Sequence, residues 1–244
     1  MKIVVCVKAV PDASSGRRLD PSTKRLDRSA ELTLSDFDGY AVEEALQIGG
    51  EVVVLSLGPE RALDALRKAL AMGADRAVLV SGDTLAGSDL LGTASALAEA
   101  VERESPDLVL FGQQSADGGG ACLWAAVAEK LRRPAISQVS ELTVDGSSVT
   151  GKRQTEFGYD TIKAPLPAVV AVSDAINTPR YPSLKGIMGA KKKPQETVSA
   201  EAVAPGTDVL ALSPPPPRGE SVKIDDDGSA AEKIVEFLAE KRLV

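Results

Sequence analysis

The chain has 244 residues, 43% of them hydrophobic, which is ample for a sizeable core, and its formal charge of −7 argues against nucleic acid as the main partner because phosphate binding needs a basic footprint. It contains no histidine, which removes the commonest general base, Ser–His chemistry and His-based metal sites together, and aromatics at 3% leave little stacking surface for single strands. No apolar run approaches the roughly 18 residues of a membrane span, and the N-terminus enters a strand-like run without signal features, so a cytoplasmic address is expected.

Strand-length apolar runs alternate with helical stripes through the first half. Residues 2–7 (KIVVCV) read as a strand buried on both faces and carry Cys6. Cys6 and Cys122 are the only cysteines; both have apolar neighbours and neither sits in a C-x-x-C, so both read as reduced, buried hydrophobes. Ala41, Val42, Ala45, Leu46 and Ile48 form the first helical stripe, stopped at Gly49–Gly50. Asp38 is placed to cap that helix, and Glu43 and Glu44 read as first-turn dipole partners. They do not read as a catalytic pair, since adjacent helical carboxylates point about 100° apart.

A second strand at 51–57 ends at Leu57 and is followed by a stripe of Leu63, Leu66 and Leu70, with Pro59 at its opening and Gly73 at its close. Residues 76–80 form a third strand, and Leu90, Leu91, Ala94, Leu97, Ala98 and Val101 a third helix. Residues 107–112 form a fourth strand, and Trp124, Val127, Ala128 and Leu131 a fourth helix. Such alternation predicts a doubly wound α/β domain with a mostly parallel, Rossmann-like sheet.

Between the fourth strand and fourth helix stand Gly118, Gly119 and Gly120. In open α/β sheets this carboxyl edge is where ligands sit, and glycine lets the backbone approach an anion closely. The loop is neither a Walker A nor a G-x-G-x-x-G, so a phosphate cradle and a plain connection both fit the glycines taken alone. No acid–base dyad emerges, and the chain reads as a nucleotide-binding scaffold without a reacting group of its own.

Residues 140–154 read as two strands around an Asp145–Gly146 turn, and APLPAVVAVS (164–173) returns an apolar strand to the same sheet. The chain then loosens, through a basic Lys191–Lys192–Lys193 run and an extended spacer at 214–217 (PPPP). A last helix follows, with Ser229 and Glu232 as a capping box and an apolar stripe of Ala231, Ile234, Val235 and Leu238 that needs a surface to cover it. The expected division is a nucleotide-binding domain at 1–189 and a linker with a docking helix at 190–244.

Five segments together (VKAVPD, YAVEEAL, KALAMGADRAVLV, GKRQTEFGYDTIKAPLPAVVAV and NTPRYPSLKGIMGAKKK) resemble the β subunit of electron transfer flavoproteins, in order and across nearly the whole chain. The resemblance implies an adenine nucleotide α-hydrolase-like fold. It also implies a heterodimer in which an α subunit carries most of the contacts to a redox-active FAD, while the β subunit binds AMP or, in bifurcating members, a second FAD. It places the nucleotide among Cys6, Ser35, Asp36, Phe37, Asp38, Leu57 and the loop Gly112, Gln113, Gln114, Ser115, Ala116, Asp117, Gly118, Gly119, Gly120, Ala121, Cys122 and Leu123. Many family members have Asp-Gly-Asp-Thr-x-Gln where this chain has Asp117 to Cys122, so backbone amides must carry more of the anion binding here.

A recognition loop for acyl-CoA or related dehydrogenases is implied at Arg180, Tyr181, Pro182, Ser183, Leu184, Lys185, Gly186, Ile187, Met188 and Gly189, with Leu184 as its anchor. Electrons would leave to a quinone reductase or another acceptor, and no metal and no catalytic residue is implied. A reading of another class is a stand-alone adenine-nucleotide sensor of the same fold, which would need no partner.

Overall fold

The computed structural model describes every residue except Ala202, Pro214, Pro215 and 218–222. The first two prolines of the expected spacer therefore lie outside the described residues. Two compact units are present, Met1–Leu210 and Ala211–Val244.

In the larger unit, β1 (Lys2–Cys6) is followed by a short excursion in which β2 (Ala9–Pro11) pairs with β5 (Leu32–Leu34) and β3 (Leu19–Asp20) with β4 (Arg25–Leu26). Then come α1 (Asp36–Ile48), β6 (Glu51–Leu57), α2 (Leu63–Met72), β7 (Arg76–Ser81), α3 (Leu90–Glu104), β8 (Leu108–Gly112) and α4 (Leu123–Leu131). A β-rich stretch follows: β9 (Ala135–Asp145), β10 (Ser148–Thr155), β11 (Gly158–Pro165) and β12 (Ala168–Val172). The unit closes with α5 (Leu184–Ala190) and β13 (Gln195–Ser199), and the smaller unit contains α6 (Ala230–Glu240).

Among the described residues the main sheet has nine strands, in the order β11-β10-β9-β12-β8-β1-β6-β7-β13. It is parallel from β9 to β13, with β10 and β11 added antiparallel at one edge. β1 is central, with β6 on one side (Val5 beside Val54) and β8 on the other (Val5 beside Leu110). After β1 the chain winds outward through β6 and β7, then crosses back to β8. The gap between β1 and β8 is thus a topological switch point, where the strands' carboxyl ends open a crevice.

The alternation of side chains across the parallel strands divides the core into two layers. Ile3, Val5 and Val7 point to the layer covered by α1 and α2, whereas Val4 and Cys6 point to the layer covered by α3 and α4. The expected strands and helices of the first half are all present. Leu90 and Leu91 are the exception to the third stripe: they stand 43% and 58% exposed, Leu90 at the wall of a cavity, and burial in α3 starts at Gly92 and Ala94.

The expected boundary after Gly189 falls too early. β13 lies within the segment read as linker, yet it pairs in parallel with β7, extending the sheet. Its alternating, half-exposed side chains carry no continuous apolar signal. β11, also unexpected from sequence, is an edge strand with mostly exposed side chains. In the smaller unit Ser229 occupies the N-cap position of α6 without capping it, since its hydroxyl donates to Asp227 at 2.5 Å. Ile234 and Val235 of α6 are 47% and 59% exposed.

Candidate functional site

A cavity of about 400 Å³ opens at the carboxyl ends of β1, β6 and β8. Of the residues expected there, Cys6, Asp38, Leu57, Gly112, Gln113, Gln114, Ser115, Gly118, Gly120, Ala121, Cys122 and Leu123 line it. Ser35, Asp36, Phe37, Ala116, Asp117 and Gly119 are not in its wall. Several of these support it from behind: Ser35, fully buried, receives the Ala116 N–H on its hydroxyl at 3.1 Å, which ties the start of α1 to the glycine loop. Residues that sequence reasoning missed complete the wall, among them Lys8, Leu85, Ser88, Asp89, Leu97, Phe111 and Trp124.

Backbone approach fixes the floor. A Cβ on Gly112 would stand 2.6 Å from the carbonyl carbon and oxygen of Phe37 and 2.7 Å from an Asp38 carboxylate oxygen, so only glycine lets β8 end against the first turn of α1. Asp38 is therefore not the helix cap, a position held by Ser35. It is buried in the floor, where its carboxylate accepts the Lys8 N–H at 2.7 Å. Burial pushes its pKa up to about 7, against the opposing pull of that N–H and the Lys8 charge. Burial likewise raises the Cys6 thiol, so it is an inert core group as expected. Cys122 is exposed, contrary to expectation, because it sits at the N-cap of α4 on the cavity rim.

The glycine loop is held open by ions beneath it. Asp117 is nearly buried, and burial alone would raise its pKa; the Lys8 ammonium at 2.9 Å and the Arg28 guanidinium overcome this and hold it well below the usual carboxylate range. Lys8 and Arg28 together outweigh the charge of Asp117 by one. Arg17 reaches the Ala116 carbonyl, so the excursion carrying β3 and β4 is latched to the same loop. Gly119 adopts φ +58°, and side chains built on Gly119 or Gly120 would meet nothing within 4 Å. The N–H groups of Gly120, Ala121, Cys122 and Leu123 donate to no group among the described residues. Free amides at the N-terminus of α4, a cation below them and an apolar wall of Leu57, Leu85, Leu97 and Phe111 suit a small molecule with an anionic end and a ring.

The second expected site lies elsewhere on the larger unit, outside α1 and α2. The sequence reads as a loop there, but residues from Leu184 onward form α5, N-capped by Ser183, whose hydroxyl accepts the Gly186 N–H at 3.0 Å. Tyr181, Leu184, Ile187 and Met188 are 97%, 75%, 54% and 69% exposed, while α5 buries only Ala190. Glu43 and Glu44 are not first-turn residues: they lie mid-helix on α1, buried, and face this segment. Arg180 binds Glu43 through Nε at 2.7 Å and Nη2 at 2.9 Å, and Asn177 Nδ2 donates to Glu44 at 3.0 Å. The Arg180 hydrogen bond holds Glu43 down to about 2, whereas burial raises Glu44. Lys193, read as part of a solvated run, donates to the carbonyls of Leu70, Gly73 and Ala74, capping α2; Lys191 and Lys192 stay exposed.

A family model described as the electron transfer flavoprotein domain matches residues 23–203. The chain is 40% identical, over 99% of its own length and 99% of the relative's, to the electron transfer flavoprotein subunit beta of Mycobacterium tuberculosis. It is 38% identical to the protein of that name from Syntrophomonas wolfei, covering 98% of this chain and 96% of the other. It is also 33% identical, over the full length of both, to the caffeyl-CoA reductase-Etf complex subunit CarD of Acetobacterium woodii. The parallel sheet, the switch-point cavity and this end-to-end similarity agree, and the chain belongs to the electron transfer flavoprotein family.

Proposed function

We propose that this chain is the β subunit of a heterodimeric electron carrier, in which FAD held mainly by an α subunit stores the electrons. On this reading the chain supplies a bound nucleotide and a docking surface, and no catalytic group of its own. The observation that carries the nucleotide half is the set of free N–H groups from Gly120 to Leu123 above the Lys8 ammonium, at the switch point of the sheet. An adenine mononucleotide suits it: the phosphate meets the amides, and the base meets the apolar wall. Ser88 Oγ, buried in that wall without a hydrogen-bond partner among the described residues, offers a further polar contact.

A second reading, FAD in this cavity, is favoured by a smaller chamber of about 170 Å³ that shares Gln113, Gln114, Ala121 and Trp124 with the main one and adds Gln138.

The docking half rests on the exposed Tyr181, Leu184, Ile187 and Met188, apolar side chains of the kind that anchor in a partner's pocket. Acyl-CoA or related dehydrogenases are the proposed donors. No acidic residue occurs from 176 to 195, so Lys185, Lys191 and Lys192 favour a pocket with an acidic rim. Co-expression with the α subunit should give a yellow complex, while this chain alone binds no FAD tightly. A chain that neither co-purifies with the α subunit nor acquires colour in its presence would overturn the proposal and favour a stand-alone sensor.

A further inference from the structure

The segment 177–193 poses a packing problem. An element is normally held on a domain by burying its apolar side chains, but this one turns Leu184, Ile187 and Met188 outward and buries only Ala190 of α5. Polar pins do the holding. Glu43 is 4% exposed in the middle of α1, a costly place for a carboxylate unless its oxygens are fully occupied. They are occupied: one accepts the Arg180 backbone N–H at 3.1 Å and Nε at 2.7 Å, the other accepts Arg180 Nη2 at 2.9 Å and Gln47 Nε2 at 3.0 Å. Asn177 Nδ2 adds bonds to Glu44 and to the Tyr40 carbonyl at 3.1 Å. At the far end Lys193 closes on three carbonyls at the end of α2. Between the pins a Cβ on Gly186 would stand 2.4 Å from the Ala71 carbonyl oxygen, so α5 rests with its backbone directly on α2.

We propose that Glu43 is a positioning residue for docking: with Arg180 and Lys193 it fixes the backbone of 180–190 before a partner arrives, so that Leu184, Ile187 and Met188 are presented in one geometry. This rests on the reading of that segment as the docking surface. A bidentate guanidinium on a buried carboxylate specifies direction as well as proximity, which a hydrophobic contact of the same size does not. Fixing the segment in advance removes the ordering cost from the binding step, so the benefit appears in affinity for the partner protein and not in the redox chemistry.

The test uses the flavin-loaded complex carrying Glu43→Gln, which keeps the side chain's shape but not its charge. Amide hydrogen exchange across 184–190 should accelerate, and KM for the complex with a reduced acyl-CoA dehydrogenase as donor should rise about tenfold with kcat unchanged. Reduction by dithionite should match the parent complex. Arg180→Lys, which keeps the charge but loses the fork, should give the same pattern more weakly. Faster exchange with an unchanged KM would show that order in the segment is irrelevant to docking and would overturn the proposal. Unchanged exchange would overturn it as well, as would loss of dithionite reduction or of the folded complex in both variants. Leu184→Ala separates the two ideas: if that variant leaves KM unaltered, the docking reading itself fails, whatever the exchange data show.

Discussion

The cavity at the strand ends and the segment outside α1 and α2 solve opposite problems with the same materials. At the cavity the side chains withdraw: glycines bare the backbone, the N–H groups from Gly120 to Leu123 have no partner among the described residues, and Lys8, Arg28 and Asp117 pair beside the loop. On segment 177–193 the backbone is tied down, with Arg180 and Lys193 engaged in internal bonds, and the apolar side chains project. A small anion is met by amides, whose direction is set by the fold. A protein partner is met by side chains, whose reach lets few residues fill a pocket. In both places a buried carboxylate paired with partly exposed cations shapes the chain.

That contrast can be broken most forcefully at Gly112. Gly112→Val would drive a side chain into the Phe37 carbonyl and Asp38, and it should cost about 3 kcal/mol or more in stability, read by urea unfolding of the chain in its complex. A loss under about 1 kcal/mol would mean that the cavity floor yields easily and that bare backbone is not required there.

Leu184→Ala sharpens the other side. Leu184 is 75% exposed, so stability should be unchanged, while affinity for the dehydrogenase should fall by the worth of a buried leucine, about 1.5–3 kcal/mol or roughly 10- to 150-fold. Equal dehydrogenase-coupled rates would make Leu184 ordinary surface.

A further effect concerns pH. Asp38 ionises in the folded chain only near pH 7, above its ordinary value of 3.8, so its contribution to stability is fully present below pH 3.8 and is lost as pH rises through 7. The stability of the wild type relative to Asp38→Asn, read as the difference in Tm, should therefore be greater at pH 4 than at pH 8. A difference that is flat or grows with pH would place the folded ionisation elsewhere.

The sequence made the scaffold readable because parallel strands buried on both faces are near-continuous apolar runs and their helices carry a 3.6-residue stripe. The same logic hid β13 and β11, edge strands with half-exposed side chains that carry no such run. The cavity was largely legible through its glycines and its place after the fourth strand. Lys8 was not, since its partner Asp117 is 109 residues away and neither residue is unusual alone. The Glu43–Arg180 pair was hidden for the same reason, at 137 residues' separation, and mid-helix glutamates pass as solvated until burial is known. Periodicity reports which face of an element is covered; it does not report which distant charge covers it.

The glycine loop either holds a nucleotide or merely connects β8 to α4. The most direct measurement is to denature the purified complex and quantify its released nucleotides by mass and absorbance, for the wild type and for Gly120→Val, whose side chain would project from the cavity wall into open space without disturbing the fold. The wild type should release an adenine mononucleotide in addition to FAD, and the variant should retain FAD while losing most of the mononucleotide, an affinity loss of about tenfold or more. A wild-type complex that releases one FAD and no second nucleotide, or a variant with undiminished mononucleotide, would show the glycines to be a plain connection.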